Sequence, residues 1–132
     1  MENSVPMTIS DSRNSAPNLH DAVCEKWTFD YQNKELVLFF QSDDGEDHRM
    51  IYHDVYAHQM VSCDFWGSSP HIYGFEVLEK QSGFLYSQLV QTITRGNYGE
   101  SFISELADSI ETEMQFISGD VLRVLCKSVS VE

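Results

Sequence analysis

Histidine and cysteine side chains that can bind a transition metal recur at intervals of five residues, as His48, His53, His58 and Cys63. On a strand this interval places neighbours on opposite faces, and on a helix it separates them by about 140°. Metal ligands must instead converge to about 2.0–2.3 Å from one ion. The leading interpretation is solvent-facing strand histidines, and a metal site formed by His53, His58 and Cys63 within a hairpin is the alternative.

Four carboxylates surround Gly45, namely Asp43, Asp44, Glu46 and Asp47. The stretch lacks the alternating carboxylates before the glycine and the final bidentate Glu of a helix-loop-helix calcium site. The residues predict a solvated connection that discourages edge pairing. They also predict a surface that presents negative charge to a basic partner.

Nucleophilic catalysis requires a Ser or Cys beside a base that is oriented by a third group. The serines do not lie in a nucleophile elbow, and Cys24 and Cys63 lack the local signatures of catalytic cysteines. The sequence also has no glycine-rich phosphate loop. We therefore expect a protein that is not an enzyme and that uses no cofactor.

The balance of charge is strongly acidic, with 8 Lys and Arg against 21 Asp and Glu, a net charge of -13 and a pI near 4.5. This field repels nucleic acid and anionic membranes, and it accelerates encounters with a basic protein. We expect no nucleic-acid or membrane partner. The alternative is that the acidity only maintains solubility.

Large aromatic residues are dense around a Gly-Ser-Ser-Pro turn, where Phe65, Trp66, Tyr73 and Phe75 occur. Such side chains mainly supply buried area, which predicts core and corner packing. The functional alternative is a partner-binding patch in which Trp66 is the anchor and Asp64 belongs to the acidic rim.

The elements that position these residues begin with a β-hairpin. Trp27, Phe29 and Tyr31 alternate with polar residues, which is the period of a strand with one buried face. Residues 36–40 form a continuous apolar run, which predicts a second strand covered on both faces. Asn33 tolerates a positive φ and is placed in the turn.

Further β-rich segments and two regions of helical period follow the hairpin. We predict strands within residues 49–61, 72–78, 114–116 and 121–131, and helices at residues 84–96 and 101–110. The sequence therefore predicts an α+β protein with a mainly antiparallel sheet of about six strands and one or two helices on one face.

The length of 132 residues suits one domain, and we expect a flexible N-terminal tail at residues 1–18 and a single α+β domain at residues 19–132. Three widely spaced cysteines suggest neither a disulfide framework nor a zinc ribbon. The sequence has no apolar run of membrane-spanning length, and residues 1–18 lack the basic start and apolar centre that a signal peptide would have. We expect a soluble protein of the cytoplasm.

Three short motifs carry a resemblance: LHDA at residues 19–22, WGSS at residues 66–69 and SGDVL at residues 118–122. Together they resemble a loose group of small, single-domain bacterial proteins without assigned function, some of which are immunity proteins beside polymorphic toxins. The resemblance implies a stand-alone intracellular domain and implies no catalytic residues. An antidote to a basic nuclease toxin would be expected to be acidic.

The net charge, the lack of a catalytic motif and the resemblance together imply a non-enzymatic binding protein, an immunity protein that neutralises a basic toxin, and the partner-binding residues expected are Asp43, Asp44, Glu46, Asp47, Asp64 and Trp66. A metal-binding protein or metal-dependent enzyme is the second hypothesis. The third is a structural or interaction subunit unrelated to toxins.

Overall fold

The computed structural model describes residues 7–9, 19–61, 71–96 and 100–132. Nine strands and two helices lie in these ranges, so the predicted α+β class is confirmed. In chain order they are β1 (Met7–Ile9), β2 (Val23–Asp30), β3 (Glu35–Gln41), β4 (Asp47–His53), β5 (Ala57–Val61), β6 (Ile72–Val77), α1 (Phe84–Gly96), α2 (Glu100–Leu106), β7 (Ile110–Phe116), β8 (Val121–Cys126) and β9 (Ser128–Val131).

The strands form two antiparallel sheets. The first sheet has the order β1-β9-β4-β3-β2, and the second has the order β5-β8-β7-β6. The strand count exceeds the predicted six partly because two predicted strands each cross from one sheet to the other. β4 continues into β5, and β8 continues into β9.

The two crossings lie side by side and are joined by backbone hydrogen bonds. The Lys127 amide donates to the His53 carbonyl at 3.1 Å, and the Tyr56 amide donates to the Leu125 carbonyl at 2.8 Å. Asp54 has a positive φ of 52°, which turns the chain between the sheets. The bend redirects both ribbons without leaving these backbone groups unpaired.

The predicted hairpin is β2 with β3, and its register opposes Trp27 to Leu38 and Phe29 to Leu36. Its turn differs from the prediction, because the positive φ belongs to Lys34, at 52°, and Asn33 instead donates to the Asp30 carboxylate. Tyr31 lies beyond the end of β2 and is 74% exposed, so its predicted place on the buried face is wrong.

The main core fills the space between the two sheets. Every second residue of β3 faces it, whereas Val37 and Phe39 lie half-buried on the outer face. The fully buried side chains include Leu36, Leu38, Met50, Tyr52, Ile72, Ile110, Met114, Leu122 and Val124. β3 is therefore fully buried on its inner face and only half-buried on its outer face.

A second, smaller core joins the helices to the outer face of the second sheet. Leu85 and Ile93 of α1 and Leu106 of α2 pack with Leu125 of β8. Both helices thus lie on one face of the sheet, as predicted. In the described part of the chain, no helix is long and apolar enough to cross a membrane.

Helix α1 begins with a cap supplied by another strand. The Glu111 carboxylate of β7 accepts hydrogen bonds at 2.9 Å from the amides of Leu85 and Tyr86. Gly83 precedes the helix, and a Cβ at this position would lie 2.1 Å from Glu111 Oε1. Because Gly83 has no side chain, the Glu111 carboxylate has room to accept hydrogen bonds from the first amides of the helix.

The predicted flexible tail at residues 1–18 contains β1, whose three residues pair with β9. The other residues of that segment lie outside the described ranges, and so does the aromatic turn at residues 65–70.

Candidate functional site

The acidic loop joins β3 to β4 and is held by a compact set of backbone hydrogen bonds. The Ser42 amide donates to the Glu46 carbonyl, and the Gly45 amide donates to the Ser42 carbonyl, both at 2.9 Å. Gly45 has φ 90°, a conformation that side chains disfavour. These bonds give the loop one defined shape within the hairpin.

Asp44 is the residue that closes the loop through its side chain. Its carboxylate accepts hydrogen bonds from the Ser42 hydroxyl and from the Glu46 amide. These two donors lower the pKa of Asp44 below its usual value, in that order of importance. Asp44 therefore remains charged well into the acidic range.

The four loop carboxylates Asp43, Asp44, Glu46 and Asp47 are all exposed. Within the described ranges none of them forms an ion pair with a Lys or Arg, and Glu46 Oε1 lies 3.8 Å from His48 Nε2. The loop thus presents negative charge that no Lys or Arg of these ranges neutralises.

The cations closest in sequence are engaged elsewhere. Arg49, two residues beyond Asp47, pairs with Glu132, and the Lys34 ammonium lies 3.6 Å from the centre of the Tyr31 ring. Lys26 lies over the Phe39 ring on the outer face of the first sheet. Each of these cations therefore has a contact of its own outside the four loop carboxylates.

A cavity of about 200 Å³ opens beside the loop at one end of the sandwich. Its polar lining comes from His20, Ser42, Asp43 and His48, and its apolar lining includes Leu19 and Phe40. Residues 19–22 are fixed there by β6, because the Asp21 amide donates to the Ile72 carbonyl and the Ile72 amide donates to the Ala22 carbonyl. The cavity wall is therefore built from several separate segments.

The two histidines of the cavity are held by different neighbours. The His48 ring stacks on Phe40 with 5.3 Å between ring centres, and its Nδ1 lies 3.2 Å from the Glu132 carbonyl oxygen. His20 Nδ1 lies 2.9 Å from the Tyr73 carbonyl oxygen, and its ring meets the Tyr73 ring edge-on at 5.8 Å. Both imidazoles thus have defined orientations.

The histidines of the predicted metal alternative lie in different sheets. His53 is on β4 of the first sheet, whereas His58 is on β5 of the second, 4.4 Å from the centre of the Phe29 ring. Burial lowers the pKa of His58, which favours the neutral ring. Cys63 lies outside the described residues, and within those residues no group of three His, Cys, Asp or Glu is placed to bind a metal.

Adjacent strands bring together three side chains that sequence reasoning did not connect. His53 Nε2 lies 2.8 Å from Ser130 Oγ, and His53 Nδ1 lies 3.6 Å from Glu35 Oε2. The order of groups matches a serine nucleophile, a base and an orienting carboxylate. The strand register brings these three residues together, and sequence periodicity does not predict that register.

This cluster lies on the outer face of the first sheet, where the backbones of β4 and β9 pair with each other. Acyl transfer also needs donors that stabilise the developing oxyanion, and these amides already serve the sheet. We therefore interpret Glu35, His53 and Ser130 as a cross-strand polar cluster.

Burial also raises the pKa of the Cys24 thiol to about 11, so this cysteine is a poor nucleophile at neutral pH.

Of the six predicted partner-binding residues, the structure brings Asp43, Asp44, Glu46 and Asp47 together, and Asp64 and Trp66 lie outside the described ranges. Tyr73 of the predicted aromatic group is 62% exposed beside His20, whereas Phe75 packs against the main core. The cavity itself was missed, since no local motif unites its lining residues.

No protein-family model and no curated protein matches the chain. The geometry and charge of the acidic loop, and of the cavity beside it, therefore carry the functional interpretation.

Proposed function

We propose that the protein is a non-enzymatic binding domain whose acidic loop engages a basic partner protein. The observation that supports this function is the set of four exposed loop carboxylates that lack a Lys or Arg partner among the described residues. A partner cation would meet charge that is not already paired. Association therefore breaks no ion pair between these carboxylates and a Lys or Arg of the described ranges.

The shape of the loop adds to the effect of its charge. The hydrogen bonds between Ser42, Asp44, Gly45 and Glu46 fix the loop before any partner arrives. Binding to a preorganised surface costs less conformational entropy than ordering a mobile segment. The net charge of -13 also steers a basic protein toward this molecule and raises its association rate.

The partner proposed is a basic toxin, and the role is that of an immunity protein in the bacterial cytoplasm. Two arguments support this choice: the acidity of the chain and the resemblance of its motifs to small bacterial proteins of that kind. Occlusion of a basic active site by an acidic surface requires no chemistry from the inhibitor. A metal-binding protein using His53, His58 and Cys63, and a subunit unrelated to toxins, remain the alternative predictions.

The test compares two variants that each remove three negative charges. One carries Asp43→Asn, Glu46→Gln and Asp47→Asn, and it spares Asp44 because that side chain closes the loop. The matched control changes three exposed acids outside the loop, through Glu76→Gln, Glu79→Gln and Asp108→Asn. Each tagged protein is used to capture partners from native lysate, and the association rate with the captured protein is then measured.

We expect the unaltered protein to retain one basic protein in near-equal amount at low salt. The loop variant should associate about tenfold more slowly at low ionic strength, whereas the control variant should lose clearly less. The difference should shrink at about 150 mM salt, where the screening length is about 8 Å. Equal losses in the two variants, or a captured partner that is acidic, would contradict the proposal.

A further inference from the structure

A second cavity, of about 390 Å³, opens at the end of β3 opposite the acidic loop. Its apolar lining consists of Val55, which is buried, and of the rings of Tyr56 and Phe102, whose centres lie 6.1 Å apart. Phe102 is 40% exposed, so part of its ring is open to a ligand. A volume in this range is typical of small-molecule sites.

Four charged side chains complete the lining, two of them basic and two acidic: Lys34, Lys127, Asp54 and Glu105. In the described part of the chain neither lysine forms an ion pair, so these opposite charges do not neutralise each other in direct contact. Two of the eight basic residues of a strongly acidic chain therefore line one cavity. The complement of such a lining carries charge of both signs.

Backbone hydrogen bonds fix the separate segments that form this lining. The Val55 amide donates to the Lys34 carbonyl at 2.8 Å, and the Lys127 amide donates to the His53 carbonyl at 3.1 Å. The place of each charged residue is thus set by the crossing between the two sheets. The site is assembled before a ligand arrives, which reduces the entropic cost of binding.

The side chains differ in how far they are already engaged. The Tyr56 hydroxyl donates to Glu105 Oε2 at 2.9 Å, which orients the carboxylate and leaves Oε1 as an acceptor. Lys34 Nζ lies 3.6 Å from the centre of the Tyr31 ring, whereas the Lys127 ammonium has no side-chain contact among the described residues. Lys127 is therefore the cation with its donors open to a ligand.

We propose that this cavity binds a free amino acid with an aromatic side chain, an inference independent of the function proposed above. Lys127 pairs with the α-carboxylate, Asp54 and Glu105 accept from the α-ammonium, and the ligand ring packs beside Tyr56 and Phe102. A zwitterion satisfies both signs of charge, whereas a simple anion or cation is attracted by one pair of side chains and repelled by the other. The two rings favour an aromatic ligand, since aromatic pairs gain from edge-to-face and offset contacts.

The experiment is an NMR titration of the full chain with L-phenylalanine. Two analogues each lack one charge: 3-phenylpropionate has no ammonium, and phenethylamine has no carboxylate. The protein variants are Lys127→Gln and its matched control Lys80→Gln, which removes an exposed lysine outside the cavity lining. The signals followed are the Tyr56 and Phe102 rings and the Val55 and Lys127 amides.

We expect phenylalanine to shift these signals and each analogue to bind roughly three- to fivefold more weakly, the range of an exposed ion pair. Lys127→Gln should weaken phenylalanine binding by a similar factor and reduce its advantage over phenethylamine, and Lys80→Gln should leave both unchanged. Either analogue binding as tightly as phenylalanine, equal effects of the two substitutions, or the absence of shifts at these residues would overturn the inference. Capture of a basic protein by the acidic loop involves the opposite end of β3, so the two proposals fail separately.

Discussion

Glu111 is one of 21 acidic residues in the sequence, yet its side chain is buried and only 3% exposed. It does the work that a Ser or Asp immediately before a helix normally does, since it accepts from the amides of Leu85 and Tyr86. The sequence shows that Glu111 and Glu113 share a strand face, but the two have different partners, and Glu113 binds Arg123 at 3.0 Å. Long-range capping of this kind has no local signature.

Replacement of Glu111 by Ala should lower the free energy of unfolding by about 2–3 kcal/mol. The substitution leaves two helix amides without their acceptor and removes a buried charged hydrogen-bonding group. Gly83→Ala should destabilise in the same direction, because its methyl group would displace the Glu111 carboxylate. Urea unfolding measures both, and Glu76→Ala, an exposed acid on β6, is the control with an expected change below about 0.5 kcal/mol.

At the scale of the element, the alternating and helical periods predicted most segments but not the changes of sheet. Alternation placed Trp27 and Phe29 correctly on the inner face of β2, and it failed at Tyr31, where the turn begins. Leu125 and Cys126 are consecutive and both buried, since Leu125 packs on the helices while Cys126 faces the main core. Alternation of apolar and polar residues identifies a strand with one buried face, so it does not reveal a strand whose two faces both pack against apolar side chains.

Trp27→Ala tests the position of β2 at the edge of its sheet. Trp27 is half-buried and meets His58 edge-on with 6.3 Å between ring centres. We expect a loss of about 2 kcal/mol in the free energy of unfolding, below the roughly 3–5 kcal/mol for a fully buried Trp. Thr28→Ala, on the opposite face of the strand, should change stability by about 0.5 kcal/mol or less in the same urea assay. A loss of 4 kcal/mol or more at Trp27 would show that the side chain is more deeply enclosed than this account allows.

For the whole molecule, composition predicted the acidic character and the sequence located the acidic loop, because both depend on residue type alone. The cavity could not be predicted, since residues 19–22, the β3–β4 hairpin and Val131 meet only after both sheets have assembled. The imidazole orientations depend on carbonyl groups of Tyr73 and Glu132, which are distant in sequence. Contacts between residues so far apart in sequence depend on which strands lie side by side, and local sequence patterns do not predict that.

The net charge of -13 should make stability depend on ionic strength. Repulsion among the carboxylates opposes the compact state, and salt screens it. We expect the free energy of unfolding to rise by about 1 kcal/mol between about 10 and about 150 mM sodium chloride. The variant with three loop charges removed should show a smaller rise, and a fall in stability with salt would mean that internal ion pairs outweigh the repulsion.

The position of β9 between β1 and β4 in the first sheet has a consequence for protein synthesis. β9 follows the other eight strands in the chain, yet it pairs with β1 on one side and β4 on the other. The ribosome must therefore make β8 and β9 before β1 can join the sheet and before the Glu132 carbonyl can orient His48. The end of the molecule that carries the acidic loop is therefore completed only after β9 has left the ribosome, and a nascent chain acquires its full binding surface no earlier than that.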